Sequence, residues 1–430
     1  MFTFLHAADI HLDSPLLKLE HYDGAPVEDL RSATRRALEN LVELAIVERV
    51  DFVLIAGDLY DGDWKDYNTG LYFVSRMTKL REAGIPVYII AGNHDAASKM
   101  TKTLRLPDKV FLFPTDKPAT VHLEDIGVAI HGQGFAKQAV SKDLSAGYPS
   151  AVPGCFNIGM LHTCATGREG HESYAPCKID GLLSKDYDYW ALGHVHKKEV
   201  LHEDPLIVFP GNIQGRQIRE TGPRGCMLVT VDDSGRANAD FRPLDVIRWM
   251  RCNVDASGAD RSDDVVDRIC EQIKELFEQS DLPLVTRIEV EGSCRAHAEL
   301  SADPEHWTNE IRSAAMDLSN GRIWIEKVRL RTNPLSKGKV SEPADGPVGE
   351  ILHLLDEVRS EPAWFGTLGE SLNDFWKKLP REIREGRDAI SPANTEWLTN
   401  MLDQVRPMLL RRLVSSRLVS SRLVSKGDAP

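Results

Sequence analysis

Ile89-Ile90-Ala91-Gly92-Asn93-His94-Asp95 is an apolar run that stops in a glycine, an amide, an imidazole and a carboxylate. A strand of a parallel sheet is covered on both faces and is therefore apolar throughout, and ligands of open α/β sheets gather beyond the carboxyl ends of such strands. The same grammar recurs four times. Phe4-Leu5-His6-Ala7-Ala8 runs into Asp9-Ile10-His11, and Phe52-Val53-Leu54-Ile55-Ala56 runs into Gly57-Asp58-Leu59-Tyr60-Asp61. Further on, residues 156–161 end in His162, and residues 189–192 end in Gly193-His194-Val195-His196. Five predicted strands thus aim Asp, Asn and His at one place.

Between the first three strands the spacing is helical. Residues 28–50 carry Leu30, Ala33, Ala37, Leu38, Leu41, Leu44, Ala45 and Val47, and residues 68–83 carry Leu71, Val74, Met77 and Leu80 before Gly84. Strands alternating with helices predict a parallel core with right-handed crossovers. From Val110 the strands shorten and turn signals multiply, so the sheet is expected to turn antiparallel, with strands at 120–124, 128–131, 200–209 and 225–241, the last turning at Asp232-Asp233-Ser234-Gly235. Residues 163–186, with Gly167, Gly170, Pro176 and Gly181, read as a long functional loop.

The domain at 1–245 is followed by a small α/β unit at 246–332, read as strand 247–254, helix 262–279, strand 284–291, helix 304–318 and strand 323–331. Residues 333–347 read as a Pro/Ser/Gly/Lys-rich linker, and 348–413 as a helical region, with helix-like stretches at 348–361 and 393–413 around a middle segment bearing Trp364, Phe365, Leu368, Leu372, Phe375 and Trp376. That segment suits either a docking surface or a minor core of its own. The tail, 414–430, continues an Arg-Leu-Val-Ser-Ser repeat begun at Arg412, with a net charge of +4 from residue 411 on. A five-residue period matches no helix or strand stripe, so a disordered basic tail is favoured over a nucleic-acid arm.

Composition bounds the class. The 430 residues suit two or three domains, and no stretch approaches the roughly 18 apolar residues of a membrane span. The N-terminus lacks a basic region, so a cytoplasmic location without a signal peptide is expected. Seven cysteines, odd in number and never spaced CxxC, argue for buried thiols rather than disulfides or structural zinc, even for Cys155, Cys164 and Cys177 flanking His162. A net charge of −13 disfavours a broadly basic nucleic-acid surface. Any DNA role must lean on metals, a local groove or a partner.

Two divalent ions about 3.5 to 4 Å apart clamp a phosphoester for in-line attack. Such a centre needs a bridging carboxylate, neutral imidazoles and oxygen ligands, a mixture that suits manganese, iron or zinc better than magnesium or calcium. Asp9, His11, Asp58, Asn93, His162, His194 and His196 supply that set. A lone DxH or GNHD is more often a turn or satisfied core polarity; seven candidate ligands in order on five strand ends are much harder to obtain by chance.

In that order, DxH, GDxxD, GNHD, a lone His after a strand, and GHxH resemble the calcineurin-like metallophosphoesterase superfamily. AADIHLDSPL at 7–16, AGDLYDGDW at 56–64, AGNHDAAS at 91–98, LGHVH at 192–196 and FPGNIQGR at 209–216 are similar to its DNA-repair exonuclease branch, the SbcD-like and especially the YhaO-like proteins. The resemblance implies a metallophosphoesterase α/β sandwich of mixed sheets flanked by helices, a small α/β capping domain at 246–332, and a C-terminal region that binds an SbcC-like ATPase. It implies Asp9, His11 and His196 on one ion, Asn93, His162 and His194 on a second, and Asp58 bridging. His94 is then no ligand but a proton donor to the leaving group, oriented by Asp95, while Asp61 is expected to hold a ligand in place rather than touch metal. The bottom-up reading agrees that an imidazole can donate a proton near neutrality while a carboxylate fixes its tautomer.

Tyr60, Trp64 and Tyr67 are candidate base-stacking residues, with core packing at least as good a reading. Arg216, Arg219 and Arg224 are candidate phosphate contacts, set against a solvated face. His131 and His122 read as structural or solvent-facing, as does His171, which also has a minor claim as a substrate contact. The expected activity is metal-dependent DNA cleavage, with Mn2+ the first choice of ion and Fe or Zn as others. The rivals are hydrolysis of small phosphoesters at the same site and a DNA-end-binding scaffold subunit; the resembling family also forms homodimers.

Overall fold

The computed structural model describes residues 1–14, 27–61, 67–97, 105–165, 175–335, 347–360 and 362–379, with 384, 391, 394, 397–399, 401–402 and 405. The chain packs as two compact units. The first comprises Met1–Val254, Arg268–Glu289 and Ile311–Arg329, and the second Asp255–Asp267, Val290–Glu310 and Leu330–Pro430.

Twelve strands of the first unit form two six-stranded sheets. In chain order they are β1 (Phe2–Ala7), β2 (Phe52–Ala56), β3 (Val87–Ile90), β4 (Val110–Leu112), β5 (Ala119–Leu123), β6 (Val128–Gly132), β7 (Phe156–His162), β8 (Tyr189–Gly193), β9 (Glu199–Glu203), β10 (Leu206–Phe209), β11 (Gly225–Val231) and β12 (Ala237–Pro243). One sheet has the order β12-β11-β1-β2-β3-β4, the other β5-β6-β7-β8-β10-β9. Each is parallel at its centre, and both are antiparallel only toward the edges, at β11 and β12 and at β5 and β9. The antiparallel section expected from Val110 onward is therefore confined to the rims. The single strand expected at 200–209 is a β9–β10 hairpin turning at Asp204-Pro205, which proline's missing N–H breaks into two.

Alternation along the strands explains the layers. Phe4, Phe52, Leu54, Ile90, Ile158, Met160 and Val229 point between the sheets, and Phe4 stacks on Phe52 at 4.9 Å. Leu5, Ala7, Val53, Ile55, Val87 and Ile89 point the other way, onto α1 (Val27–Glu48) and α2 (Tyr67–Glu82) through Leu38, Leu41, Phe73 and Met77. β1, β2 and β3 are buried on both faces, which is why they read as unbroken apolar runs; each buried large side chain contributes roughly 1.5–3 kcal/mol.

Two short helices, α3 (Asn93–Ala97) and α4 (Ile179–Leu183), follow β3 and β7, and a third sheet, β13 (Arg248–Asp255), β14 (Leu284–Cys294) and β15 (Ile323–Pro334), comes with α5 (Ser262–Glu278), α6 (His297–Ala302) and α7 (Pro304–Leu318). Within the first unit Trp249, Val285 and Trp324 pack with Ala33, Ile218 and Val246. In the second unit α8 (Pro347–Ser360) packs on α9 (Pro362–Lys377). The aromatic middle segment is thus helical, with Trp364 and Phe375 exposed. Among the described residues no helix is long and apolar enough to cross a membrane, and all seven cysteines are free thiols. The tail and most of 393–413 lie outside the described residues.

Candidate metal centre

The carboxyl ends of β1, β2, β3, β7 and β8 meet. Asp9 and His11 sit in the loop after β1, which is zipped to the loop after β2 by Asp9 N–H to Gly57 O (3.0 Å), His11 N–H to Asp58 O (3.0 Å) and Leu12 N–H to Leu59 O (2.9 Å). Asp9, His11, Asp13 and Asp58 have φ of 52, 46, 61 and 51°, and His194 has 102°. Such left-handed non-glycine residues cost of order 1 kcal/mol each or more and persist only where surrounding bonds hold them. Beside them, Asp13 accepts Arg35 of α1 in a two-pronged 2.6 Å pair and also accepts Thr69 of α2, fastening the loop to both helices.

All seven expected ligands converge. Asp9/His11/His196, His11/Asp58/His94 and Asp58/His162/His194 form groups whose ligand atoms lie within 4.8 Å of one another. His11 Nε2 faces His196 Nε2 at 3.1 Å, and Asn93 Oδ1 faces His162 Nε2 at 3.0 Å and His194 Nδ1 at 3.2 Å. Asp58 Oδ2 stands between, 3.9 Å from His11 Nε2 and 3.4 Å from His162 Nε2. The donor set fits cations. His162 Nδ1 donates to Ala56 O (2.9 Å) and His196 Nδ1 to Glu220 Oε1 (2.8 Å), so each ring turns its Nε2 inward toward the other ligand atoms, where a cation would take the place of a proton.

The electrostatics match. Burial opposes ionisation of Asp58, yet His162 and His11 hold its carboxyl below the ordinary range. His162 answers: burial lowers it, but Asp58 outweighs burial and pushes it up to about 9. Burial, then the Arg216 charge, presses His11 down to about 3, which keeps it an unprotonated donor. Burial raises Asp9, against the pull of His196 and His162.

His94 stands beside the cluster, its side chain 35 % exposed and its ring edge-on to His11 at 4.9 Å. The carboxylate on its Nδ1 is Asp61, at 2.8 Å, and that hydrogen bond raises its pKa. Asp61 also receives Ser14 (2.6 Å) and lies 3.6 Å from His11 Nδ1. Asp95 does not orient His94, contrary to the expectation. The short helix Asn93–Ala97 turns it backward, so that its carboxylate accepts backbone N–H from Leu59 (3.1 Å), Tyr60 (2.9 Å) and Gly92 (2.9 Å). Burial and Asp58 lift Asp95 to about 6. It ties the loops after β2 and β3 together through their N–H groups.

The proposed substrate contacts fare differently. Tyr60 is 1 % exposed and packs edge-on against Phe73 at 6.1 Å, so core packing has claimed it. Trp64 and His171 lie outside the described residues; Tyr67 is exposed. Arg216 turns inward to Ser14 (2.8 Å) and Asp61 (3.4 Å), while Arg219 is exposed. Arg224 is buried and holds Asn212 (3.2 Å), the Thr221 carbonyl (2.9 Å) and the His196 carbonyl, so it is no phosphate contact. His131 is buried between Thr120 and Asn157, as a structural residue should be. Glu220 escaped the sequence reading, because nothing in the spacing announces that it will meet His196.

Two mixed sheets with histidines and carboxylates gathered at their carboxyl ends define a metallophosphoesterase, and the calcineurin-like phosphoesterase family matches residues 2–198. The middle domain of metallophosphoesterase YhaO matches residues 249–333. The "Uncharacterized metallophosphoesterase YhaO" of Bacillus subtilis is 33% identical over 295 residues, covering 68% of this chain and 72% of that relative. The chain belongs to the YhaO-like family of calcineurin-like metallophosphoesterases. It is also similar to proteins named DNA double-strand break repair protein Mre11, from Sulfurisphaera tokodaii (29% over 260 residues, 56% of this chain and 64% of that one) and Methanopyrus kandleri (25% over 274 residues, 57% of each). Calcineurin-like phosphoesterases use divalent metals, and the class hydrolyses phosphoesters.

Proposed function

We propose that this protein is a metal-dependent DNA nuclease. Asp9, His11 and His196 would hold one divalent ion, Asn93, His162 and His194 a second, and Asp58 would bridge them, with Mn2+ the favoured ion. The observation that carries the reading is the convergence of these seven donors beside His94, an imidazole that Asp61 holds by Nδ1. When bound, two such ions lower the pKa of a water and neutralise charge growing on the phosphorus oxygens. The chain's own residues do the rest. Asp61 keeps the Nδ1 proton in place, so the protonated His94 presents Nε2–H to the departing sugar oxygen and gives up that proton as the P–O bond breaks. Asp95 locks the loops after β2 and β3 through their N–H groups, which keeps Asp58 and Asn93 in register.

DNA as substrate is supported by the likeness to the two repair proteins. The domains at 1–245 and 246–332 would then form nuclease and capping parts, 333–347 a linker, and the helices from 348 on a docking region for an SbcC-like ATPase, in a cytoplasmic complex open to homodimerisation. Hydrolysis of small phosphoesters is the second reading, favoured by the net charge of −13 and by the inward turn of Arg216.

The test is cleavage of 5′- and 3′-labelled linear duplexes by the Mn2+-loaded protein, beside a small aryl phosphodiester. Cleavage of the duplex is expected, with His94→Ala lowering the rate by about 10²–10⁴-fold while retaining both ions. Hydrolysis of the small ester alone would eliminate the nuclease reading, and loss of metal from His94→Ala would show that the ring is a ligand.

A further inference from the structure

We infer that the two halves of the metal centre are unequal, and that Glu220 is the positioning residue that makes the Asp9/His11/His196 half the tighter one. The inference rests on the ligand set proposed above. Glu220 is 4 % exposed, and its place is fixed by several donors. Oε1 accepts from His196 Nδ1 (2.8 Å) and Gln217 Nε2 (3.4 Å), while Oε2 accepts from Arg216 N–H (2.7 Å) and Asn212 Nδ2 (3.0 Å). The His196 ring is thereby held in one orientation and one tautomer, with Nε2 toward His11.

A second carboxylate lies behind the same half. Asp61 Oδ1 stands 3.6 Å from His11 Nδ1. A negative charge behind an imidazole strengthens its lone pair toward a cation, and at the buried Glu220 the charge itself adds attraction that water screens little, whereas Asp61, 26 % exposed and 3.4 Å from Arg216 Nη1, adds less. The other half is built differently. His162 is backed by the uncharged Ala56 carbonyl at 2.9 Å, and Asn93 brings a neutral oxygen where the first half has the carboxylate of Asp9. Asp58 reaches both halves, with Oδ2 3.9 Å from His11 Nε2 and 3.4 Å from His162 Nε2, so it does not distinguish the first half. The first half therefore has one carboxylate ligand of its own and two more behind its imidazoles.

Calorimetric titration of the metal-stripped full chain with Mn2+ tests this. Two steps differing by at least about tenfold in affinity are expected, with His194→Ala abolishing only the weaker. Glu220→Gln should weaken the tighter step by about 10–100-fold and leave the weaker within about threefold. Glutamine turns an amide donor toward the Arg216 N–H or Asn212, so circular dichroism must accompany it. Asp61→Asn removes the other charge independently, must weaken the same step, and decides the matter if Glu220→Gln does not fold. Equal steps in the wild type, loss of the tighter step in His194→Ala, or both substitutions lowering both steps alike would overturn the inference. A wild type that binds no Mn2+, or binding untouched by His194→Ala and His196→Ala, would instead remove the ligand set itself.

Discussion

His94 and His6 show how one residue type is put to opposite uses by its surroundings. His94 is part-exposed and hydrogen-bonded to Asp61, which raises its pKa, so it can arrive at the reaction protonated. With Mn2+ saturating both steps, so that the weaker metal binding of the same variant does not enter, Asp61→Asn removes that support without removing the ring and should lower kcat about 10–100-fold with KM little changed; an equal rise in KM would place Asp61 in substrate binding instead. His6 is sealed in the core, where Nε2 donates to Leu192 O (3.1 Å), Nδ1 accepts from Tyr189 OH (3.0 Å), and burial pushes the ring down to about 3. Unfolding exposes the ring, which then takes a proton near its ordinary value of about 6.5. Its stabilisation is thus complete above that value and is lost as pH falls toward 3, by about 1.4 kcal/mol per unit. Between pH 7.5 and pH 5 the loss should be about 2 kcal/mol, and His6→Gln should remove that part of the slope. Urea midpoints at the two pH values check it, and an unchanged slope in the variant would show that the ring is not neutral in the folded chain.

At the level of elements, the chemistry depends on how strands end. Gly57 turns with φ of 94°, where a Cβ would run into the His162 ring, and a Cβ on Gly92 would meet the Asp58 carboxylate and its backbone. Gly92→Ala should therefore displace Asp58, with loss of at least one bound ion per chain and about 10²-fold or more in activity. Gly127→Ala is the control: its φ is 64° but nothing lies within 4 Å of the added carbon, so it should cost only the strain of about 1–2 kcal/mol and leave metal binding alone. Metal content measured by mass spectrometry separates the two, and full occupancy in Gly92→Ala would break the argument. The strands that carry ligands were legible in the sequence because burial on both faces writes an apolar run and the ligands sit where the run stops. What was not legible depends on contacts between distant loops. Glu220 finds His196 across 24 residues. Asp95, next to His94 in sequence, is swung away from it by one helical turn. The aromatics of α9 hid a helix, since Trp and Phe at 364, 365, 375 and 376 signal burial or docking more strongly than helical period.

For the molecule as a whole, the centre is a seam between two sheets. Asp9, His11, Asp58 and Asn93 follow strands of one sheet, while His162, His194 and His196 belong to strands of the other or to their exits. The interior between the sheets is apolar and close-packed around Phe4, Phe52, Met160 and Tyr189, but at this end it gives way to buried carboxylates and imidazoles. Ions bound here would cross-link the sheets through ligands that otherwise set Asp9 against Asp58 and one inward lone pair against another. An ion that binds the folded chain and not the unfolded one stabilises it by about 2.7 kcal/mol at a hundredfold excess over its dissociation constant. For a unit of this size that corresponds to roughly 5–10 °C in Tm. Chelation should lower Tm by that amount, added Mn2+ should restore it along a saturating curve, and Asp58→Asn, which weakens the link common to both halves, should blunt the response. A Tm indifferent to chelator and Mn2+ alike would mean that the seam is held by the protein alone, and the cross-linking role would have to be given up.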